Sequence, residues 1–404
     1  MKCILHIGTE KTGTTLLQNW LYSNREALSA QGVFLSDRLG QPNNRLLPAY
    51  FQNHLDDWAK RNRIRTPEEK DAYFDGFAER LKDELKDAAA SHHAAIISSE
   101  HFHSRVDRAE DIQALAGFLN DMFDSVTVSC YFRNQFDMAL SYYSTQVKIS
   151  STATLADCMA RVEPENYYYD FLSIADNWSS AFGRENCEFR IYDRSKFSGN
   201  DLRTDFLDTI DCGIDKRLLD FSIETANESL TALQSAAYRA VNASIPYWDG
   251  DNGGTNRLNS RTKRVVSDIC ALKQGAVQSQ LRAEIENRFK ACNDAFFARY
   301  FDRANEFIDI ADTIQPNPAL PMEEVEEIVF ELLAATLPAL SNGSHLRGRD
   351  ANDLRDLAIR MEEHSLEDAL MLMRLAQRAR PHGRFIARKI KDYEARLTAP
   401  RSGT

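Results

Sequence analysis

The chain has 404 residues, 43% of them hydrophobic, enough to bury a large core, and the length suits two domains or one domain with an appendage. Sixty acidic against 49 basic side chains give a formal net charge of −11, which argues against a general binder of nucleic acid or anionic membranes. Any basic surface has to be local, as an anion pocket is, and no apolar run reaches the ~18 residues of a membrane span.

In chain order, the apolar run 3–7 predicts a strand that stops at Gly8. His6 lies inside it, where a satisfied structural histidine is expected. Thr14 and Thr15 then open an amphipathic helix over 14–30 with Leu16, Leu17, Trp20 and Leu21. A strand, a glycine loop and a helix start make a phosphate cradle, because loop and first-turn N–H groups point at the anion and the helix dipole favours negative charge there. Gly8 and Gly13 have the spacing of the G-x-x-x-x-G-K-[ST] nucleotide loop. The lysine does not fit: Thr14 occupies its place, and Lys11 lies two residues before Gly13. Such a loop is poorly equipped for ATP.

Further strands are expected at 33–35, 94–98, 126–132 and 187–192, and helices at 70–91, 109–123, 135–148, 167–182 and 200–210. Short apolar strands separated by helices imply crossover units, and so a parallel sheet with helices on both faces. Ligands in such α/β folds bind beyond the carboxyl ends of the strands. The strand at 94–98 runs into Ser99, Glu100, His101, Phe102 and His103, which puts an acid and two histidines at a strand end. The strand at 126–132 runs into Arg133, and Ser141 follows eight residues later on the next helix. Guanidinium gives forked, charge-assisted hydrogen bonds to a phosphate, and a hydroxyl adds one more donor.

From 229 to 310 the pattern is helical, interrupted by a loop at 244–262 that carries Tyr247 and Trp248; the stretch from Asn256 to Arg264 holds Arg257, Arg261, Lys263 and Arg264 and is expected to be a solvated charge run. Three prolines between Thr313 and Pro321 mark a boundary. Helices follow near 322–336, 351–363, 366–379 and 383–397, the third opened by a capping-box-like Ser365 and Asp368. The expected division is therefore an α/β domain over 1–312 and an all-helical C-terminal extension over 322–400. Leu366 to Pro381 looks like half a tetratricopeptide repeat, but no second copy accompanies it. Seven scattered cysteines without C-x-x-C spacing suit buried thiols in a reducing compartment, and no charged-then-apolar leader is visible. The expectation is a cytoplasmic protein.

The Lys-Thr-Gly-Thr-Thr loop and the Arg133–Ser141 pair, in this order, resemble the two cofactor signatures of sulfotransferases. The resemblance covers about residues 1–305, with weaker echoes at Tyr192–Asp193, 202–207 and 293–301. It implies a P-loop-type fold, 3′-phosphoadenosine 5′-phosphosulfate (PAPS) as donor, 3′-phosphoadenosine 5′-phosphate (PAP) as product, and no metal. It also implies roles. Lys11 stabilises charge on the bridging oxygen, Lys11, Thr12, Gly13, Thr14 and Thr15 hold the 5′-phosphate, Arg133 and Ser141 hold the 3′-phosphate, and Tyr192 contacts the adenine. The basic run at 257–264 lacks the Arg-Lys-Gly form of the family's second 3′-phosphate loop. Position at a strand end makes Glu100 the first candidate for the base, His101 the second and His103 the third; members of the family use either a glutamate or a histidine, so the resemblance does not decide between them, and a merely capping role stays open. A buried carboxyl can be raised into range for such work. A small-molecule or glycan acceptor hydroxyl is a family-level expectation, and nucleic acid is not. A P-loop kinase and a non-catalytic PAP-binding scaffold are the alternatives.

Overall fold

In the computed structural model, the residues described are 1–223, 230, 232–248, 255–270, 279–307, 350–362 and 365–398. They form two compact units, one of 1–143, 155–228 and 280–314, the other of 144–154, 229–279 and 315–404. The expected helices near 322–336 lie outside the described residues.

The first unit is built on five parallel strands, β1 Lys2–His6, β2 Val33–Phe34, β3 Ala94–Ser98, β4 Ser125–Phe132 and β5 Cys187–Ile191, in the order β2-β3-β1-β4-β5. All five expected strands form. Side chains alternate between faces, so Leu5, Ile97 and Val128 join one apolar cluster while Ile4, Ile96 and Tyr131 join another. Trp178 and Phe171 cover the first face, Trp20 and Phe206 the second. Burial on both faces is why these strands are apolar throughout. The chain winds from β1 towards β3 and β2 on one side and towards β4 and β5 on the other. The order therefore reverses beside β1, the position at which open α/β sheets bind ligands.

Helices α1 Thr14–Ser23, α2 Arg25–Ser29, α3 Leu46–Phe51, α4 Asp57–Arg61, α5 Pro67–Tyr73, α6 Phe77–Ala88, α7 His101–Arg105 and α8 Ala109–Asn120 connect the first four strands. The helix expected over 14–30 divides at Asn24, whose amide bonds the Trp20 carbonyl and, across the fold, the Asp220 carbonyl, each at 3.0 Å. The helix expected over 70–91 divides at Gly76, which is left-handed at φ 64°. Helices α9 Gln135–Ile149, α10 Leu155–Met159, α11 Phe171–Phe182 and α12 Leu202–Ile210 follow.

In the second unit, α13 Ala232–Ser244 and α14 Arg257–Cys270 hold the end of α9. Asn242 bonds the carbonyls of Val147 and Ser151 at 2.9 Å, and the Lys263 ammonium donates to the carbonyls of Lys148 and Ile149 at 3.0 Å. The run expected as a solvated loop is thus the start of a helix. Arg257 and Arg264 are exposed, but Lys263 is buried over the rings of Tyr238 and Tyr247, and burial pushes its ammonium down to about 8. A cation suits that place, because the last carbonyls of a helix lack partners. Helix α15, Ser279–Phe301, belongs to the first unit from Gln280 onward. Three C-terminal helices, α16 Asp350–Met361, α17 Leu366–Ala379 and α18 Arg384–Thr398, share a small core of Leu372, Met373, Ile386 and Tyr393. Ser365 caps α17 by accepting from the Asp368 N–H at 3.3 Å, as its sequence indicates.

Among the described residues no helix is long and apolar enough to cross a membrane, and Cys3, Cys130, Cys187 and Cys212 are buried free thiols.

Candidate functional site

The glycine loop leaves β1 as a continuation of strand pairing. Ile7 donates to Ser129, Thr9 to Tyr131 (both 2.9 Å), and Tyr131 back to Gly8 at 2.7 Å. His6 closes the strand as a structural residue. Its Nδ1 meets the Ser98 hydroxyl at 2.8 Å, and burial pushes its imidazole down to about 3. The loop then turns through two left-handed residues, Lys11 at φ 67° and Gly13 at φ 76°. Glycine suits position 13: its φ strains other residues, and a Cβ would come within 2.7 Å of Leu202 Cδ2 and 3.2 Å of the Tyr192 hydroxyl, so those side chains would have to move. The Thr12 hydroxyl donates to the Thr9 carbonyl at 2.6 Å and so braces the loop; Thr14 is buried and Thr15 exposed. The N-cap of α1 is Gly13, which has no side chain to cap the first turn, and exposed first-turn N–H groups suit an anion.

Arg133 follows the last residue of β4 and reaches this loop. Its Nη1 donates to the Lys11 carbonyl at 3.0 Å, and its guanidinium lies 5.5 Å from the centre of the Tyr192 ring. Tyr192 itself extends β5, its N–H bonding the Phe132 carbonyl at 2.7 Å. Lys11, Gly13, Arg133 and Tyr192, remote in sequence, therefore share one place at the carboxyl ends of β1, β4 and β5. Asn134 caps α9, accepting from the Phe136 and Asp137 N–H groups at 2.9 and 3.4 Å. Ser141 stands half-buried on the second turn of that helix.

Glu100 follows β3 and backs onto the same loop. A Cβ at Gly8 would lie 3.3 Å from its Cα, and its carboxylate accepts from the Gln18 amide of α1 at 2.6 Å. Burial pushes the Glu100 carboxyl up, with Glu10 adding to the shift and Gln18 and Lys11 opposing it. His101 Nε2 is 3.9 Å from Glu100, and among the described residues its buried Nδ1 has no hydrogen-bond partner. Burial, helped by nearby Arg45, pushes this imidazole down to about 4. His103 is differently placed. Its Nδ1 accepts from the Glu10 N–H at 3.3 Å, which leaves Nε2 protonated and donating to the Tyr168 carbonyl at 2.9 Å. Burial brings it to about 4 as well. With both nitrogens engaged, His103 anchors the loop.

Glu10 and Tyr168 are residues that sequence reasoning missed. The Tyr168 hydroxyl donates to Glu10 Oε2 at 2.9 Å, completing a ring of contacts with His103 around the residue before Lys11. Burial opposes charge on Glu10, yet Ser104, His103 and Tyr168 together hold its carboxyl below the ordinary range. The one available signal was the position of an acid inside a glycine loop.

A cleft of about 800 Å³ elsewhere, lined by Phe34, Tyr73, Phe77 and Arg80 among others, includes none of these residues. Of the aromatic pair in the second unit, the Tyr247 face is taken by Lys263 at 4.9 Å, while Trp248 is exposed. Among the described residues no group of three or more His, Cys, Asp or Glu could hold a metal ion.

Fold and loop together define a parallel α/β protein with a glycine loop at its strand ends. No family model matches the chain. An uncharacterized protein of Archaeoglobus fulgidus is 25% identical over 244 residues, which are 58% of this chain and 62% of that protein, so the chain spans about three fifths of the length of this relative. Among solved structures, a sulfotransferase from Alicyclobacillus acidocaldarius aligns with 55% of this chain and 85% of its own, at 16% identity and a TM-score of 0.37. A likeness of that size carries no argument about this chain's chemistry.

Proposed function

We propose that the chain is a sulfotransferase that moves a sulfuryl group from PAPS to a hydroxyl of a carbohydrate acceptor by in-line displacement. The observation that carries this reading is the meeting of Arg133 with the Lys11 carbonyl at 3.0 Å beneath the Tyr192 ring. It joins a loop lacking the ATP-type lysine to a strand-end arginine suited to a second, separate phosphate. A donor with phosphates on both 5′ and 3′ positions answers to that pair.

The cradle fits such a donor. The uncapped first turn of α1 and the N–H groups of Thr12, Gly13, Thr14 and Thr15 suit the 5′-phosphate, Arg133 with Ser141 the 3′-phosphate, and the Tyr192 ring the adenine. PAPS supplies an activated sulfuryl group, and PAP is the product. The acceptor oxygen bonds to sulfur as the bond from sulfur to the bridging phosphate oxygen breaks, so charge builds on that oxygen. Lys11 is the residue to stabilise it, and preorganised charge of this kind provides most of the catalysis in the related phosphoryl case. Glu100 takes the acceptor proton, its raised carboxyl being better matched to that work than an ordinary one; His101 is the second candidate. In this reading 1–312 is the catalytic domain, 322–400 a helical extension, and the setting cytoplasmic.

Equilibrium binding of PAP against ATP, followed by transfer of labelled sulfate to a glycan panel, tests it. PAP should bind more tightly than ATP, and transfer should survive EDTA. Tighter ATP binding with activity restored only by a divalent ion means a P-loop kinase. PAP binding without transfer to any acceptor means a scaffold.

A further inference from the structure

Glu10 is an acid where the loop needs only a hydrogen-bond acceptor. Its side chain is fixed by the Tyr168 hydroxyl, which donates to Oε2 at 2.9 Å, and its N–H by His103 Nδ1 at 3.3 Å. A glutamine would accept from Tyr168 equally well and bury no charge. Against the cost of burial, Ser104, His103 and Tyr168 keep the Glu10 carboxyl ionised. A buried anion among neutral donors is costly to fold, so its charge calls for a reason beyond holding the loop.

What the charge faces supplies one. A Cβ on Gly8 would lie 3.2 Å from the Glu10 nitrogen and 3.3 Å from the Glu100 Cα, so the two acids flank the same glycine. Glu100 is likewise held by a neutral group, the Gln18 amide at 2.6 Å. The other titratable groups facing the pair are Lys11 of the loop, His101 at 3.9 Å from Glu100, Arg45 at the start of α3 and, around Glu10, His103, Tyr142, Tyr168 and Tyr169. Burial keeps both histidines and all three tyrosines uncharged near neutrality. Arg105 of α7 and Arg45 are both tied to Asp56. Lys11 favours an ionised Glu100, whereas Glu10 works the other way and adds to the effect of burial.

We propose that Glu10 is a positioning residue acting through Glu100: a fixed anion across Gly8 that holds the acceptor's proton on Glu100 once it has moved there. The proposal rests on the sulfotransferase reading of the site. As the acceptor oxygen bonds to sulfur and the bond from sulfur to the bridging phosphate oxygen breaks, the hydroxyl proton passes to a Glu100 oxygen and PAP leaves with the bonding electron pair. Two carboxylates oppose each other before that transfer and only one is charged after it. The repulsion is relieved as the proton arrives, which favours the transition state over the ground state. Against the burial that lowers His101, the same anion favours a proton there, so the second candidate for the base is served alike.

The test follows the Glu100 carboxyl by carbon-13 NMR in the full chain, labelled at its glutamate carboxyls and saturated with PAP, the signal being assigned by its loss in Glu100→Gln. Glu10→Gln keeps an acceptor for Tyr168 and removes only the charge. The Glu100 titration and the acid limb of kcat/KM should both move to lower pH, with PAP affinity unchanged as the sign of an intact loop. Glu10→Asp, which keeps the charge, should leave both closer to the wild type. A Glu100 titration unmoved in Glu10→Gln makes Glu10 a loop-holding residue and overturns the proposal. Should Glu10→Gln fail to fold, the wild type decides: Glu10 must stay ionised throughout the range in which Glu100 titrates, and a Glu10 that titrates above Glu100 overturns the proposal as well. A wild type that does not prefer PAP over AMP removes the sulfotransferase reading, and the base role of Glu100 with it; with that preference intact, only the role of Glu10 is at stake.

Discussion

Arg133 and Lys11, 122 positions apart, meet through a hydrogen bond from guanidinium Nη1 to the Lys11 carbonyl at 3.0 Å. Lys11 sits in the left-handed region at φ 67°, a conformation that costs a non-glycine residue and persists only when its surroundings hold it. Arg133 is part of that hold, so one side chain shapes the loop and keeps further N–H groups for an anion.

Arg133→Ala should therefore weaken PAP by about 10-fold to 150-fold, the scale of a lost charge-assisted contact of about 1.5–3 kcal/mol. AMP should lose less, because it lacks the 3′-phosphate. Calorimetry with both ligands checks this. Equal losses would assign Arg133 to the loop alone.

Gly13→Ala should be harmful out of proportion to one methyl group. The new Cβ would be 2.7 Å from Leu202 Cδ2 at a φ of 76°. A strain of about 1–3 kcal/mol is expected, read as a lower urea midpoint together with weaker PAP binding. A variant as stable as the wild type would mean the loop can reshape freely.

Lys11→Ala should lower kcat by roughly 10²–10³, the scale of one preorganised donor, with a smaller loss in PAP affinity. Glu100→Gln should lower kcat by roughly 10²–10⁴ and leave PAP affinity nearly intact. Glutamine keeps the shape but cannot accept the proton. If Glu100→Gln stays active while His101→Asn is dead, the base is the histidine.

Two pH effects follow from burial. As a base Glu100 must be ionised, so kcat/KM should fall as pH drops through its raised pKa, and this acid limb should vanish in Glu100→Gln. Stability should fall in the same direction for a different reason. His6, His101 and His103 are held neutral, their imidazoles brought to about 3, 4 and 4. Below about 6.5 the unfolded chain binds protons that the folded one refuses. The contribution is present above that pH and lost as pH falls towards 4. Urea midpoints across this range test it, with a shallower decline expected for His103→Gln.

Lys263→Met should destabilise the protein by about 1–3 kcal/mol, because the carbonyls of Lys148 and Ile149 lose a shared donor while the apolar stem is kept. An unchanged urea midpoint would show that water replaces the ammonium at no cost.

The five strands and the Gly8–Gly13 loop were legible from residue order, because apolar runs bounded by glycine or polar residues are local signals of a buried strand. Parallel pairing was legible too, since helices between strands leave little alternative. Helix ends were less so. Asn24 breaks its helix by bonding Asp220, a partner that no local pattern announces. The strand order β2-β3-β1-β4-β5, which brings Arg133 beside Lys11, and the ring of Glu10, His103 and Tyr168 belong to the tertiary structure alone. Lys263 shows why: a basic run looks solvated in sequence, yet two tyrosines and two helix-end carbonyls from distant segments make burial favourable. Local sequence sets which segments are strand, loop or helix; whether a charged side chain faces water or a partner depends on which distant segments fold against it.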